Sequence, residues 1–189
     1  QTILPPSLHR WKCKELILEK CRFINDKDAQ LLGHKEFIRK LARRKSKDPR
    51  VKLFTTNYDT CFEDAAGLLG ITVIDGFSFS MPRIYDARFF DMDIVRRNTS
   101  SSSTNTHYLE GVYQLYKLHG STNWSRRNTN SYIIEQAENV TAENSCMIFP
   151  AKGKYQQSYI QPHLELIARF SQSLREPNTC LIIAGFGFN

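Results

Sequence analysis

An α/β fold built on a doubly wound parallel sheet with flanking helices is predicted by three segments in which an apolar run ends abruptly at small polar residues or glycines. These are Val51 to Asp59 (VKLFTTNYD), Tyr113 to Trp124 (YQLYKLHGSTNW) and Thr179 to Asn189 (TCLIIAGFGFN). In such sheets the carboxyl ends of the strands face a crevice, and a helix that starts there aims free backbone N–H groups into it. A turn of polar residues after an apolar strand therefore marks both the fold and the place where a ligand sits.

The first stretch, Ser7 or Leu8 to Ile24, reads as a helix with Ser7 as a cap, and Asp26 or Asp28 is placed to cap a second helix that ends at Asp48-Pro49. A strand follows at 51–56. Phe62, Ala65, Leu68 and Leu69 then recur at helical spacing, predicting a helix over 59–69 closed by Gly70, and Ile71 to Ile74 reads as a short strand. Between Phe77 and Glu110 the periodicity breaks. Asn98 to Thr106 (NTSSSSTNT) is a low-complexity polar stretch, expected to be a mobile surface loop and open to use as a lid. Leu115 to Leu118 predicts a strand that stops at His119-Gly120-Ser121. Pro162 to Leu174 has its apolar residues on one side and reads as a helix, and Leu181 to Ala184, with Cys180 before them, reads as a strand buried on both faces. No internal repeat is present.

The composition bounds the function classes. A chain of 189 residues with 41% hydrophobic content can bury one core and is expected to be a single domain, with a helical, basic part over 1–50 and a core over 51–189. No apolar run approaches the roughly 18 residues of a membrane span, and Gln1 to Trp11 has no signal-peptide pattern, so a cytoplasmic protein is expected. The five cysteines, Cys13, Cys21, Cys61, Cys146 and Cys180, are scattered, and none forms the Cys-x-x-Cys pair typical of structural zinc. No zinc or other metal site is therefore expected. The net charge of +7 owes much to Lys35, Arg39, Lys40, Arg43, Arg44, Lys45, Lys47 and Arg50. In the same segment Leu31, Leu32, Phe37, Ile38, Leu41 and Ala42 recur mostly at three- and four-residue intervals, so these cations read first as the solvated face of an amphipathic helix. Contact with an acidic neighbouring subunit, or with nucleic acid held by a partner, is the other use of such a face.

The polar residues at the strand ends are the candidate site. Asn57 and Asp59 stand at the mouth of the first turn, where Asn and Asp are also favoured helix caps. His119 is placed at a strand end, and the Gly120-Ser121 pair after it permits close backbone approach beside a hydroxyl. Gly185 and Gly187 sit at the carboxyl end of the third run. For Tyr58, Trp124 and Phe186 ordinary packing accounts for the pattern as well as ligand stacking does.

TTNYD at 55–59, KLHGSTNW at 117–124 and GFGFN at 185–189, in this order and spacing, resemble the sirtuin-like family of NAD-binding proteins, whose fold is Rossmann-like, and within it the branch found in bacterial defence systems. Ile148-Phe149-Pro150 with Lys152 and Lys154 is similar to the short strand and Pro/Lys loop that the family carries before its last helix. The resemblance covers roughly 51–189. It implies a NAD+ glycohydrolase that releases nicotinamide and ADP-ribose as the effector of an anti-phage, abortive-infection system. In that role Asn57 contacts the ribose and orients the attacking water, while His119 takes a proton near neutral pH. Thr55, Thr56 and Ser121 supply hydrogen bonds, Asp59 fixes the turn or the ribose edge, and Gly120, Gly185, Phe186, Gly187 and Asn189 line the dinucleotide. The resemblance also implies a homo-oligomer and a sensor domain or partner, such as a phage component or an associated ATPase. A non-catalytic module that binds NAD+ or ADP-ribose is the alternative. A NAD-dependent deacylase is disfavoured by the lack of zinc cysteines. The family's Gly-Ala-Gly-type phosphate turn does not precede Val51, and the chain stops directly after GFGFN, so a domain incomplete at both ends of a longer protein is expected.

Overall fold

A computed structural model describes residues 6–24, 30–45, 48–96, 107–128, 132–149 and 160–185. Its centre is a parallel sheet in the order β1-β5-β2, made of β1 (Val51–Thr55), β5 (Val112–Lys117) and β2 (Thr72–Ile74). β5 pairs with both neighbours, Thr55 lying opposite Lys117 and Ile74 opposite Gln114. Helix α3 (Cys61–Leu69) links β1 to β2 and ends at Gly70, whose φ of 65° supplies the left-handed cap that a residue without Cβ adopts freely. α/β architecture with parallel strands and flanking helices is thus what the sequence predicted.

The sheet is covered on both faces, and the alternation along its strands shows how. Tyr113 and Leu115 of β5, with Val51 and Leu53 of β1, meet Cys61, Ala65 and Ala66 of α3 and Leu31 and Ile38 beside and on helix α2 (Leu32–Leu41). Val112 and Tyr116 point the other way, with Phe54, into a core that holds Ile74, Phe90, Trp124 and Leu166 of helix α4 (His163–Ser173). Burial on both faces is why apolar or aromatic residues occupy both odd and even positions of β5. Tyr116 is stacked between Phe54 and Phe90, with ring centroids 4.5 and 4.1 Å away, and Phe170 meets Phe54 edge-on at 4.9 Å. Such aromatic pairs add roughly 0.5–1.5 kcal/mol each beyond the area they bury.

A second, antiparallel sheet, β7-β6-β8, was not foreseen. It consists of β6 (Gly120–Arg126), β7 (Ile134–Gln136) and β8 (Ser145–Met147). The strand expected around Ile148-Phe149 ends just before them, although both residues are buried. Helix α1 (Pro6–Lys20) packs on this sheet through Leu18, beside Val140, Met147 and Phe149, and Arg22 donates to the carbonyls of Thr122 and Val140 at 2.9 and 3.0 Å. Two smaller pieces, a 3-10 helix at Ala87–Asp91 and a hairpin of β3 (Val95–Arg96) with β4 (His107–Tyr108), fill the region between Phe77 and Glu110. The polar stretch Asn98 to Thr106 lies outside the described residues.

One expected element is absent. Cys180 to Ala184 joins no strand ladder and is exposed, with Leu181 at 48%, Ile182 at 87% and Ile183 at 54%. An apolar run reports a tendency to be buried and not the neighbour that buries it, and among the described residues β1 pairs only with β5, so no ladder receives this segment. In the basic segment Leu31 and Ile38 are buried as expected, whereas Leu32 is 60% exposed. Arg50 does not join the solvated cations, because it forms a two-pronged ion pair with Asp93 at 2.8–3.1 Å.

Leu166 is fully buried against the sheet. Replacing it with Ala removes that contact and leaves a cavity, so the unfolding free energy measured in urea is expected to fall by about 2–5 kcal/mol. A loss below roughly 1 kcal/mol would show that α4 is not a structural wall of the core.

Candidate functional site

The parallel register determines the site before any side chain is considered. Thr55 and Lys117 are partners at the ends of β1 and β5, and the Leu118 N–H donates to the Thr55 carbonyl at 2.9 Å. Asn57 and His119 each lie two residues beyond these partners, so the two turns leave the carboxyl edge of adjacent strands side by side. The Tyr58 and His119 rings are 6.4 Å apart between centroids. The fold thus brings Asn57 and His119 onto neighbouring turns beyond the carboxyl ends of β1 and β5.

Within the first turn the polar residues divide their work. The Thr55 hydroxyl accepts from the Asn57 N–H at 3.1 Å, and the Asp59 carboxylate accepts from the Cys61 N–H at 3.0 Å, which opens α3. Asp59 thus closes an Asx turn just before the helix, whose N-cap is Thr60. The Asn57 side chain is exposed and forms no hydrogen bond among the described residues, which leaves its amide available at the edge, next to the exposed Thr56. Trp124 is a core residue, 1% exposed and against Phe77 and Tyr85. The Tyr58 hydroxyl donates to the Ile148 carbonyl at 2.5 Å.

What ties the two turns together was not legible in the sequence. Lys117 is on the α3 side of β5, 2% exposed, and its ammonium donates to the Ser121 hydroxyl at 2.7 Å, to the Glu63 carboxylate at 3.0 Å and to the Asp59 carbonyl, with the Tyr58 carbonyl at 3.5 Å. Ser121, fully buried, in turn donates to the Tyr58 carbonyl at 3.2 Å. Ser121 was expected to reach a ligand; here it braces one turn against the other. Glu63 keeps 19% exposure, yet its Oε2 is sealed without a partner, and burial pushes its carboxyl up against the pull of Lys117. Gly120 is fixed by packing as well as by backbone, since its φ is +83° and a Cβ there would lie 2.1 Å from the Cys146 carbonyl oxygen.

Beneath the second turn lies His163, a residue that sequence reasoning passed over because it opens a helix rather than following a strand. It is 3% exposed, and Nδ1 is 3.1 Å from the Leu118 carbonyl. A carbonyl can only accept, so Nδ1 carries the proton and Nε2 faces the Cys146 thiol at 3.8 Å. Burial holds this imidazole down at about 4; the Leu118 bond opposes the shift, while Arg126 and His119 reinforce it. The Cys146 thiol is pushed up to about 11 by burial. The pair is consequently neutral on both sides and unsuited to nucleophilic chemistry.

Of the third motif, Gly185 is described, exposed and at φ +72°, whereas Phe186, Gly187 and Asn189 lie outside the described residues, as do Pro150, Lys152 and Lys154. Among the described residues no group of three or more His, Cys, Asp or Glu could hold a metal ion, and no helix is long and apolar enough to cross a membrane.

A parallel sheet whose adjacent strands lead into turns carrying an exposed amide and a half-buried imidazole defines an α/β domain with a candidate site at its carboxyl edge. The family model described as SIR2-like domain matches residues 51–189, and the chain belongs to that family. A search of curated proteins gave no match. A function connected with NAD is what that membership carries.

Two outcomes test the site's physics. Lys117→Met leaves Glu63 and the turn carbonyls without their cation and should lower the unfolding free energy by about 3–5 kcal/mol, part of which Glu63→Gln added to it should restore; a single variant as stable as the parent contradicts the tie. For His163 the sign follows from its low value. Below about 6.5 an unfolded chain binds a proton that the folded one refuses until about 4, so stability should fall by about 2 kcal/mol between pH 7 and pH 5. In His163→Asn that part of the slope should vanish from urea unfolding curves; an unchanged slope would contradict the assignment.

Proposed function

We propose that this domain hydrolyses NAD+ at the bond between nicotinamide and ribose. The observation that carries the reading is the placement of Asn57 and His119 at equal depth beyond paired parallel strands, in a chain of the SIR2-like family. As the bond from the ribose anomeric carbon to the pyridinium nitrogen breaks, its electron pair goes to the ring and nicotinamide leaves neutral. Positive charge builds on the sugar. Water then bonds to the anomeric carbon, its proton passes to the His119 imidazole, and ADP-ribose is the second product. The Asn57 amide, with a donor and an acceptor, holds a ribose hydroxyl and orients the water. Asp59 and Thr55 keep the turn in shape, and Thr56, Gly185, Phe186, Gly187 and Asn189 are assigned to the dinucleotide by family resemblance.

In this reading 1–189 acts as one domain, which is supported by the packing of α1 and α2 onto the same cores as the 51–189 part. A cytoplasmic anti-phage effector, silent until a sensor domain or partner and oligomerisation trigger it, is the biological setting we infer from the resemblance to defence proteins.

The test is nicotinamide release from NAD+ by the full-length parent protein and by His119→Ala, followed by chromatography. Release by the parent and a loss of at least about 100-fold in the variant, with the fold intact, is expected, since general-base catalysis contributes about 10²–10⁴. Cleavage that survives His119→Ala removes His119 from the reaction. NAD+ that binds and stays whole under every trigger would instead favour a regulatory binding module.

A further inference from the structure

We propose that His163 is a positioning residue for His119, acting through the Leu118 carbonyl; this rests on the reading of His119 as the base. The backbone around His119 is pinned on three sides. The Leu118 N–H bonds to Thr55, the His119 carbonyl accepts from the Ile148 N–H at 2.9 Å, and Gly120 lies against the Cys146 carbonyl. The fourth group, the Leu118 carbonyl, points into the interior and is taken up by His163 Nδ1 at 3.1 Å. That bond is the one link in the set made by a side chain, and it comes from α4, an element remote in sequence. Without it a buried carbonyl immediately before His119 has no donor, and the backbone is free to rotate toward one. Such a rotation swings the His119 ring, and displacements on the order of 1 Å cost up to about 10²-fold in rate.

His163 itself is 3% exposed, so its role is to position and not to contact substrate. With Nδ1 donating to the Leu118 carbonyl, Nε2 is left facing the Cys146 thiol at 3.8 Å. Arg126 and His119 are the charged or titratable groups that face it besides Cys146.

The test compares His163→Leu, which fills the space without a donor, with His163→Asn, whose amide nitrogen occupies nearly the place of Nδ1. In the full-length protein at pH 7.5, nicotinamide release should show kcat reduced at least tenfold in His163→Leu with KM for NAD+ unchanged, and kcat recovered to within about threefold of the parent in His163→Asn. A folded His163→Leu with parental kcat overturns the proposal. If the parent releases no nicotinamide, the hydrolase reading fails instead, and NMR of the His119 imidazole decides the role of His163: ring resonances shifted in His163→Leu and parental in His163→Asn support positioning, and resonances unchanged in both overturn it.

Discussion

The Lys117 ammonium is the constraint on which the candidate site depends. It sits at the last residue of the central strand, almost without access to water, and gathers acceptors from the turn after β1, from α3 and from Ser121. An isolated cation would not be tolerated there, so the site exists only if those acceptors converge on it. Convergence fixes the relative position of two backbone segments that carry Asn57 and His119. Glu63 shows the cost of the arrangement, for its carboxyl is driven up by burial while one oxygen is left without a partner. A site that must place two groups across a crevice gains from a tie of this kind, because a charge network permits one geometry where apolar packing permits several.

The second support comes from below. Where Lys117 holds the turns to each other, His163 and the close approach of Gly120 to the Cys146 carbonyl hold the second turn to the antiparallel sheet and to α4. The two sheets thus have distinct tasks. The parallel one sets the depth of Asn57 and His119 by its register, and the antiparallel one, continuous with the second turn through β6, fixes the backbone on which His119 rides. Helix α1, outside the residues that match the family, is anchored to that same sheet through Leu18 and Arg22.

How much of this could be read from the sequence depends on how local the cause is. β1, α3 with its Gly70 cap, the strand ending before His119 and the helix at 163–173 follow from apolar spacing and caps within ten or so residues, and they were legible. Lys117 was not, because a lysine at the end of an apolar strand looks solvated until Glu63 and Ser121 are known to meet it. Likewise His163 acquires meaning only from Leu118, which lies 45 residues away. β6 is mostly polar and β8 is only three residues long, so neither shows the apolar period that marks a strand. Leu181 to Ile183 failed in the opposite sense: the local pattern for a buried strand is strong, and the described structure leaves the segment exposed because no ladder takes it up.

The proposed hydrolysis requires one ligand to span both turns at the carboxyl edge of β1 and β5. Its most direct test is titration of the full-length protein with NAD+ while NMR follows the Asn57 side-chain amide and the His119 imidazole. Both signals are expected to move along a single binding curve. Movement of only one, or saturable binding that leaves both in place, would contradict it.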